Sequence, residues 1–284
     1  MISATRAESF RRQGYAVDWE ILADAELALA EGAIAGWAER LVGEWTGRGL
    51  RSSDYKTEFL TAWKSAGSPQ FKRSPYANLV TPEFFEFLRL PKLISLAGEL
   101  LATDEVSVHG IFNFRPMMPG AHFTPWHQDA QYWRAHGEPD PSLAKRRTVV
   151  TVWMPLQDLD ERLGGLEVAS LASTEGRLFA DDLTDRDTNY LTVTPDVIAS
   201  LDAYFPRIKR GGCLCFSQLT MHRGTPNNAD CIRWSIDVRY ESSDDALLSG
   251  RKYGFVASSP SGRHAVDTFE SWRARCLQSL GPRA

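Results

Sequence analysis

Hydrophobic patterning divides the 284-residue chain into two parts near residue 105. Upstream, apolar positions recur at helical spacing, so residues 20–45 and about 81–101 predict helices, with Pro82 in the first turn of the second. Downstream, short apolar runs alternate with polar residues, which is typical of strands. The predicted strands are residues 106–115, 147–154, 166–170, 213–217 and 231–240.

Helices followed by strands predict an α+β protein, mainly β, with a sandwich or jelly roll rather than a parallel sheet. We expect a single domain over residues 1–284. Its expected parts are helical support over about 1–105, a jelly-roll core over about 106–242 and a C-terminal tail over about 243–284. A loop-rich insert at about 172–210 interrupts the strands, and we expect it to form part of a lid.

Composition and charge exclude several classes of function. The formal net charge is −4, so no overall positive field favours nucleic acid. The N-terminus lacks the apolar core of a signal peptide, and no apolar run approaches the roughly 18 residues of a membrane span. We expect a cytoplasmic monomer or homodimer with a small-molecule substrate. Its cysteines are expected to be free thiols buried as small hydrophobes: Cys213, Cys215, Cys231 and Cys276.

The segment TPWHQDAQYW, residues 124–133, sets a histidine and a carboxylate two positions apart among three aromatic rings. Charged groups in apolar surroundings need compensation, and a metal ion can supply it. Taken as an extended strand, the segment projects His127 and Asp129 to the same face, about 6–7 Å apart. Both side chains could then bind one ion.

The third ligand must come from elsewhere in the chain. His222 follows a predicted strand and precedes a turn, and two histidines with one carboxylate form the facial triad of non-haem Fe(II) oxygenases. A similar pair, His136 and Glu138, lies in a Gly/Pro-rich loop and is interpreted as solvent-exposed. His122, separated from His127 by Pro125, would not share its strand face and is left out.

The predicted strand at 231–240 has one apolar face and one polar face. The polar positions are Arg233, Ser235, Asp237 and Arg239. Such a pattern also suits a solvated edge strand. However, Arg233 lies eleven positions after His222 with Ser235 beside it, and a guanidinium with a hydroxyl can hold a carboxylate through charge-assisted hydrogen bonds. A small dicarboxylate could be anchored there and chelate iron at its other end.

Four motifs carry a family resemblance over most of the chain: FRRQGYAV, HQDAQYW, VWMPLQDLDERLGGLEV and HRGTPNNADCIRWSIDVRY. GFVA at 254–257 and Trp272 match a tail common among bacterial members. Together they resemble the phytanoyl-CoA dioxygenase family, Fe(II)/2-oxoglutarate dioxygenases that include ectoine hydroxylase and natural-product tailoring enzymes. The resemblance implies a double-stranded β-helix, a jelly roll with helices packed outside.

The resemblance also implies the site residues. The implied iron ligands are His127, Asp129 and His222. The implied 2-oxoglutarate contacts are Arg233, helped by Ser235, and the pocket positions Asn113 and Thr151. The expected substrate-pocket residues are Gln131, Tyr132 and Trp133, of which the last matches a position that shapes the pocket in ectoine hydroxylase; a plain core aromatic is the alternative for Trp133.

The chain departs from the family pattern at three places. Residues 163–166 read Leu-Gly-Gly-Leu where the family usually has Asn-Gly-x-Leu, and residues 169–173 replace its Pro-Gly-Ser-His. Gly224 stands where a serine is frequent. These positions lie outside the triad, so the expected chemistry survives while the shape of the adjacent loop and pocket is open.

By this resemblance the chain would use Fe(II), 2-oxoglutarate and O2 to hydroxylate a C–H bond, releasing succinate and CO2. The presence of Asp129 favours hydroxylation, since related halogenases lack this carboxylate. Desaturation, epoxidation and rearrangement stay open, and the substrate is expected to be a secondary metabolite or amino-acid-like compound. An acidic run in the insert could meet a cationic substrate or be a solvated loop: Asp181, Asp182, Asp185 and Asp187.

Three other classes of protein remain as alternatives. A zinc hydrolase could use the same triad with an activated water, but it would not need Arg233. A jelly-roll binding module without chemistry would not need all three ligands and Arg233. A structural protein would leave the polar residues on inward strand faces unexplained.

Overall fold

The structure, a computed structural model, describes residues 5–71, 79–135, 149–179, 183–184, 190–244 and 253–280. Eight helices are defined within this part of the chain: α1 (Arg6–Gln13), α2 (Asp24–Thr46), α3 (Tyr55–Ser65), α4 (Pro82–Leu88), α5 (Pro91–Leu101), α6 (Asp129–Ala135), α7 (Pro195–Ala199) and α8 (Phe269–Leu280). None of these described helices is long and apolar enough to cross a bilayer.

The strands of the described residues follow the same chain order. They are β1 (Tyr15–Asp18), β2 (Val106–Val108), β3 (Asn113–Met117), β4 (Val149–Pro155), β5 (Leu166–Ala169), β6 (Leu183–Thr184), β7 (Leu191–Thr192), β8 (Ala203–Tyr204), β9 (Cys213–Ser217), β10 (His222–Gly224), β11 (Arg233–Ser242) and β12 (Phe255–Ser258).

The helices begin and end where local chemistry requires. Helix α1 starts with a capping box between Thr5 and Glu8 and ends at Gly14, whose φ of 81° suits glycine. The predicted helix at 81–101 is two helices, because a proline in a helix interior lacks the N–H and clashes with the preceding turn. Pro91 therefore opens α5 instead of continuing α4.

Two antiparallel sheets form the predicted jelly roll, which confirms the α+β fold class. The large sheet has the order β1-β9-β4-β11-β2-β12, with β3 also pairing with β11. The small sheet has the order β10-β5-β8, and β6 pairs with β7. The large sheet reaches beyond the expected core at 106–242, because β1 joins it from the N-terminal region and β12 from the expected tail.

Strand β11 lies inside the large sheet, flanked by β4 on one side and by β2 and β3 on the other. The solvated-edge interpretation of its polar face is therefore wrong. The predicted strand at 106–115 is interrupted at Gly110, where φ is 86° and an added Cβ would lie 2.4 Å from the backbone nitrogen of Gly254. A side chain cannot be accommodated there, so the chain turns between β2 and β3.

Helices α2 and α3 cover the outer face of the large sheet with aromatic side chains. The ring of Trp234 on β11 lies 5.4 Å from that of Tyr55 and 5.5 Å from that of Phe59, centroid to centroid. Trp37 on α2 packs edge-on against Phe114 on β3 at 4.6 Å. Such edge-to-face contacts add to the stabilisation from buried area. The apolar face of β11 thus builds the main core.

All four cysteines are free, as expected. Cys213, Cys215 and Cys276 are buried in the main core. Cys231 is exposed, so the expectation of burial is wrong for this residue. It lies in the loop before β11, where no packed layer covers it.

Candidate metal centre

The two histidines of the predicted triad are joined through their backbones. His127 donates its N–H to the carbonyl oxygen of His222 at 3.0 Å, and His222 donates to the carbonyl of His127 at 3.0 Å. This isolated antiparallel bridge places side by side two residues that are far apart in sequence. Since β10 continues from His222 and pairs with β5, the bridge also ties the metal-binding segment to the small sheet.

The carboxylate of Asp129 lies beside the two histidines, but its backbone does not form the expected strand. Asp129 begins helix α6, so the extended interpretation of residues 127–129 is wrong. Gln131 caps this turn, since its side-chain oxygen accepts a hydrogen bond from the backbone N–H of Gln128 at 2.7 Å. The change from strand to helix directs the carboxylate back towards the histidines.

One ligand atom from each of the three side chains lies within 4.8 Å of the others. Nε2 of His222 is 3.9 Å from Oδ1 of Asp129. Each Nδ1 faces a carbonyl oxygen, that of Pro125 at 2.8 Å for His127 and that of Thr220 at 2.9 Å for His222. Because a carbonyl only accepts, each Nδ1 carries the proton and each Nε2 keeps its lone pair for a metal.

The electrostatics give the three ligands the protonation states that a cation requires. Burial, with His222 nearby, lowers the pKa of His127 to about 3. Burial also lowers the pKa of His222, although Asp129 opposes the shift. Burial alone would raise the pKa of Asp129, but Arg239 outweighs it and the pKa lies below its ordinary value. Near neutral pH the site therefore presents two neutral imidazoles and a carboxylate.

A network of charged groups extends from Asp129 through Arg239 and Asp237 to Arg115 on β3. Arg239 donates from Nε to Oδ2 of Asp129 at 3.0 Å and from NH1 to Oδ1 of Asp237 at 2.6 Å. Asp237 also accepts from Arg115 Nε at 2.7 Å and from Asn113 Nδ2 at 2.9 Å. Positive and negative groups alternate, and buried charges are tolerated in this form.

Arg233 and Ser235 lie on the same face of β11, nearer its start. The Arg233 side chain is buried, donates from NH1 to the carbonyl oxygen of Gly165 at 2.8 Å and lies over the ring of Trp153 at 5.8 Å. The hydroxyl oxygen of Ser235 is buried and has no hydrogen-bond partner among the described residues. A buried hydroxyl without a partner is costly unless a ligand satisfies it.

One cavity joins these groups. Its described lining includes the triad and three arginines, together with the apolar side chains Met117, Trp153, Leu166 and Phe216. The arginines are Arg115, Arg233 and Arg239. The metal-binding face and the guanidinium of Arg233 therefore open into the same space.

Comparison with known proteins identifies the family. The sequence model of the phytanoyl-CoA dioxygenase family (PhyH) matches residues 10–235. The chain belongs to the phytanoyl-CoA dioxygenase family. As a member, it is a 2-oxoglutarate-dependent non-haem iron dioxygenase, with iron and 2-oxoglutarate as cofactor and cosubstrate. No curated protein matches the chain by sequence.

Solved structures of similar fold include the epimerase SnoN in complex with Fe3+, alpha-ketoglutarate and nogalamycin RO, at 18% identity and a TM-score of 0.56. That match covers 92% of this chain and 90% of SnoN. EctD from S. alaskensis with 2-oxoglutarate and 5-hydroxyectoine is 18% identical, with a TM-score of 0.57 and coverage of 86% and 77%. EvdO2 from Micromonospora carbonacea var. aurantiaca, complexed with 2-oxoglutarate, is 19% identical, with a TM-score of 0.54 and coverage of 94% and 98%.

The residues of this phytanoyl-CoA dioxygenase family member fit iron and 2-oxoglutarate. The donor set of two imidazoles and one carboxylate is suited to ferrous iron with positions left open. The hydroxyl of Ser235, without a partner among the described residues, lies one strand repeat from the Arg233 guanidinium, as a carboxylate anchor requires.

Two residues expected at the cosubstrate have other contacts. Thr151 donates from Oγ1 to Oδ2 of Asp129 at 2.9 Å, so it supports a metal ligand directly. Asn113 donates to Asp237 and belongs to the charge network. In the structure each side chain faces a carboxylate at hydrogen-bonding distance, and a contact of either residue with 2-oxoglutarate stays a prediction.

The structure describes the side chains of two of the three expected substrate-pocket residues, Gln131 and Tyr132, and their role in substrate binding stays a prediction. Gln131 is fully buried and caps α6. Tyr132 packs edge-on against the His127 ring at 5.4 Å and accepts a hydrogen bond from the Leu191 N–H at 3.1 Å. The side chain of Trp133 lies outside the described residues, as do His136 and Glu138. The acidic run of the insert also lies outside them: Asp181, Asp182, Asp185 and Asp187.

The start of the insert is hydrogen-bonded to Gln128, which lies between the expected ligands His127 and Asp129. The side-chain amide of Gln128 donates to the carbonyl oxygen of Arg177 at 2.8 Å, and its oxygen accepts from the Phe179 N–H at 3.0 Å. Further along, Thr192 donates from Oγ1 to the carbonyl of Trp126 at 3.0 Å. These described parts of the insert are thus hydrogen-bonded to the metal-binding segment, and the lid stays a prediction.

Two glycines in these segments, Gly164, which the family pattern shares, and Gly224, are constrained by their surroundings. Gly164 has a φ of 72°, and an added Cβ would lie 2.3 Å from the carbonyl oxygen of Pro226, so glycine is required there. The carbonyl of the next residue, Gly165, accepts from Arg233. At Gly224 an added Cβ would lie 3.2 Å from that of Phe123, so this cavity-lining position is kept small.

Sequence reasoning did not assign roles to Arg115, Asp237 or Arg239. The last two were visible as polar positions on the same strand face as Arg233, and their continued alternation was the available signal. Arg115 gave no comparable signal, because its partner lies on another strand. Its register opposite Ser235 depends on the pairing of β3 with β11.

Proposed function

We propose that this chain hydroxylates an unactivated C–H bond of a small molecule, coupled to decarboxylation of 2-oxoglutarate to succinate and CO2. The observation that carries the proposal is the His127, Asp129 and His222 triad opening into the same cavity as Arg233. A zinc hydrolase would use the triad but would not need a buried guanidinium facing the same space.

His127, Asp129 and His222 would hold the iron, and Arg233 with Ser235 would hold the far carboxylate of 2-oxoglutarate. When bound, iron supplies the activation of dioxygen that couples oxidation of the keto acid to oxidation of the substrate. The remaining contributions come from the protein, which positions the groups and excludes competing reactions. Arg239 keeps Asp129 ionised, and the hydrogen bonds from Thr151 and Arg239 orient its carboxylate.

The cavity wall also favours a controlled oxidation. Trp153, Leu166 and Phe216 present apolar surface beside the triad. Water is disfavoured against such surface, so a reactive site is protected from side reactions. Asp129 would supply a carboxylate as the third protein ligand of the iron, and this ligand supports hydroxylation rather than transfer of a halide.

Substrate placement decides the outcome at such a site. The similar structure SnoN is described as an epimerase. Hydrogen abstraction without return of a hydroxyl group is therefore the second candidate for this chain. A secondary metabolite or an amino-acid-like compound is the proposed substrate class.

Anaerobic addition of Fe(II) and 2-oxoglutarate to the metal-free protein tests the proposal. We expect a weak visible charge-transfer band from the chelated keto acid. Arg233→Ala should lose the band at 2-oxoglutarate concentrations that saturate the unmodified protein, while Fe(II) still binds. Arg207→Ala is the matched control, since Arg207 is an exposed arginine paired with Glu161. A wild-type protein that binds Fe(II) without forming the band would contradict the proposal.

A further inference from the structure

Arg115 stands out among the charged groups that line the cavity. It lies on β3, where strand alternation directs Asn113, Arg115 and Met117 to the cavity side and Phe114 to the core. Its side chain keeps 43% of its surface accessible, whereas those of Arg239 and Asp237 keep 5% and 3%. It is therefore the arginine of this network that a ligand can reach.

The hydrogen bonds of Arg115 leave one edge of its guanidinium available. Nε donates to Oδ2 of Asp237. For NH1 and NH2 no hydrogen-bond partner is found among the described residues. Asp237 also accepts from Asn113 and Arg239, so only the Nε side of the Arg115 guanidinium is used in this network. The NH1 and NH2 pair is the geometry that binds a carboxylate through two parallel hydrogen bonds.

The charge balance of the cavity points in the same direction. Among the described lining residues, Arg115, Arg233 and Arg239 carry three positive charges, and Asp129 and Asp237 carry two negative charges. One Fe(II) and one 2-oxoglutarate dianion cancel each other. The loaded cavity therefore keeps one positive charge in excess, which a monoanionic group on a substrate would neutralise.

We propose that Arg115 is the substrate-recognition residue of this site and that the substrate carries a carboxylate on an apolar body. This inference rests on the proposed oxygenase function and specifies its substrate class. One excess charge matches a carboxylate better than a phosphate ester, which is a dianion near neutral pH. The apolar body would contact Met117 and Leu166 in the same cavity.

Binding of matched probes tests this proposal without knowledge of the natural substrate. Protein loaded with Zn(II) and 2-oxoglutarate, which cannot turn over, is titrated with hexanoate, hexanamide, phenylacetate, phenylacetamide and hexyl phosphate by ligand-observed NMR. The acids should bind about tenfold or more tightly than their amides, as expected for a hydrogen-bonded charge pair. Equal binding of acids and amides, binding of neither, or tighter binding of hexyl phosphate would overturn the proposal.

Substitutions assign the selectivity to Arg115. Arg115→Gln should weaken acid binding by about tenfold or more, to the level of the amides, and Arg115→Lys should lie between. Arg162→Gln, at an arginine that is 70% exposed, is the matched control and should change nothing. If Arg115→Gln fails to fold, Arg115→Lys decides, because it keeps the charge but loses the planar pair of donors. Unchanged acid selectivity in the folded variants would refute the assignment.

The Fe(II) and 2-oxoglutarate band separates the two proposals. Arg115→Gln should keep the band with unchanged dependence on 2-oxoglutarate, while loss of the band would place Arg115 at the cosubstrate and overturn its assignment to substrate. If the wild-type protein forms no band but still selects acids through Arg115, the oxygenase proposal fails and the carboxylate site stands.

Discussion

The two faces of strand β11 are buried to the same extent and serve different purposes. On one face Trp234, Ile236 and Tyr240 pack into the main core, where Trp234 contacts rings of α2 and α3 and Tyr240 donates to the carbonyl oxygen of Leu88 in α4. On the other face Arg233, Asp237 and their neighbours are equally buried but contact charges and a cavity. Burial alone therefore does not distinguish a residue that stabilises the fold from one that builds a site. The contacts of each side chain make this distinction.

The largest expected effect is on the apolar face. Trp234→Ala removes a ring packed against Tyr55, Phe59 and Trp37, and it should lower the free energy of unfolding by about 3–5 kcal/mol. Urea denaturation, followed by tryptophan fluorescence and circular dichroism, measures this loss. Added Mn(II) should not reverse it beyond the stabilisation seen in the wild type. If Mn(II) stabilised the Trp234→Ala variant more than the wild type, the proposed difference between the two faces would be wrong.

The second largest loss in the free energy of unfolding, about 3 kcal/mol, is expected when a charged residue on the other face is replaced. Arg239→Met leaves Asp129 and Asp237 without their shared counterion, at the lower end of the cost of an unpaired buried charge because other donors to both remain. Here Mn(II) should restore part of the lost stability, since it supplies positive charge at Asp129. The same denaturation with and without metal gives the answer, and equal losses in both conditions would count against the electrostatic role.

A smaller effect is expected from a neutral hydrogen bond to the same carboxylate. Thr151→Val keeps the side-chain shape and removes the donor to Oδ2 of Asp129. Metal affinity should fall by about tenfold, as is usual when a partner of a metal ligand is lost, with little change in stability. Calorimetric titration with Co(II) checks this. Thr192→Val, which removes a hydroxyl bonded to a backbone carbonyl instead, is the comparison that should leave affinity unchanged.

The smallest effect concerns Glu31 on α2, which forms ion pairs with Lys56 and Arg210. Burial raises the pKa of Glu31, but the two cations outweigh it and the pKa lies below 4.5. The stabilisation is therefore present above pH 4.5 and is lost as pH falls through the lowered pKa. Glu31→Gln should cost about 1 kcal/mol at pH 7 because the pair is partly exposed. The difference from wild type should shrink when denaturation is repeated at progressively lower pH below 4.5, and a constant difference would contradict the charge pairing.

The sequence predicted those features that local patterning controls. The bounds of β9 agree with the predicted strand at 213–217, and the apolar and polar faces of β11 follow its alternation. The triad was also correctly assembled, since His127, Asp129 and His222 meet in space. In each case neighbours in sequence, or a motif with fixed spacing, carried the information.

Features that depend on pairing between distant strands were not predictable. Asp129 was assigned to a strand because two-residue spacing suits that geometry, whereas the cap from Gln131 starts a helix. The hydrogen bond from Thr151 to Asp129 was not predicted, because it depends on where β4 lies relative to α6. Arg115 was overlooked because only the register of β3 with β11 brings it to Asp237.

The reciprocal hydrogen bonds between the main chains of His127 and His222 have a consequence for metal exchange. They join the two main chains directly, and the imidazole ring centroids lie 4.1 Å apart. Loading then requires little ordering of the polypeptide, so its entropic cost is small. An enzyme that loses its ferrous ion to oxidation or chelation would keep a ready receptor, and reactivation would depend on iron supply rather than on refolding.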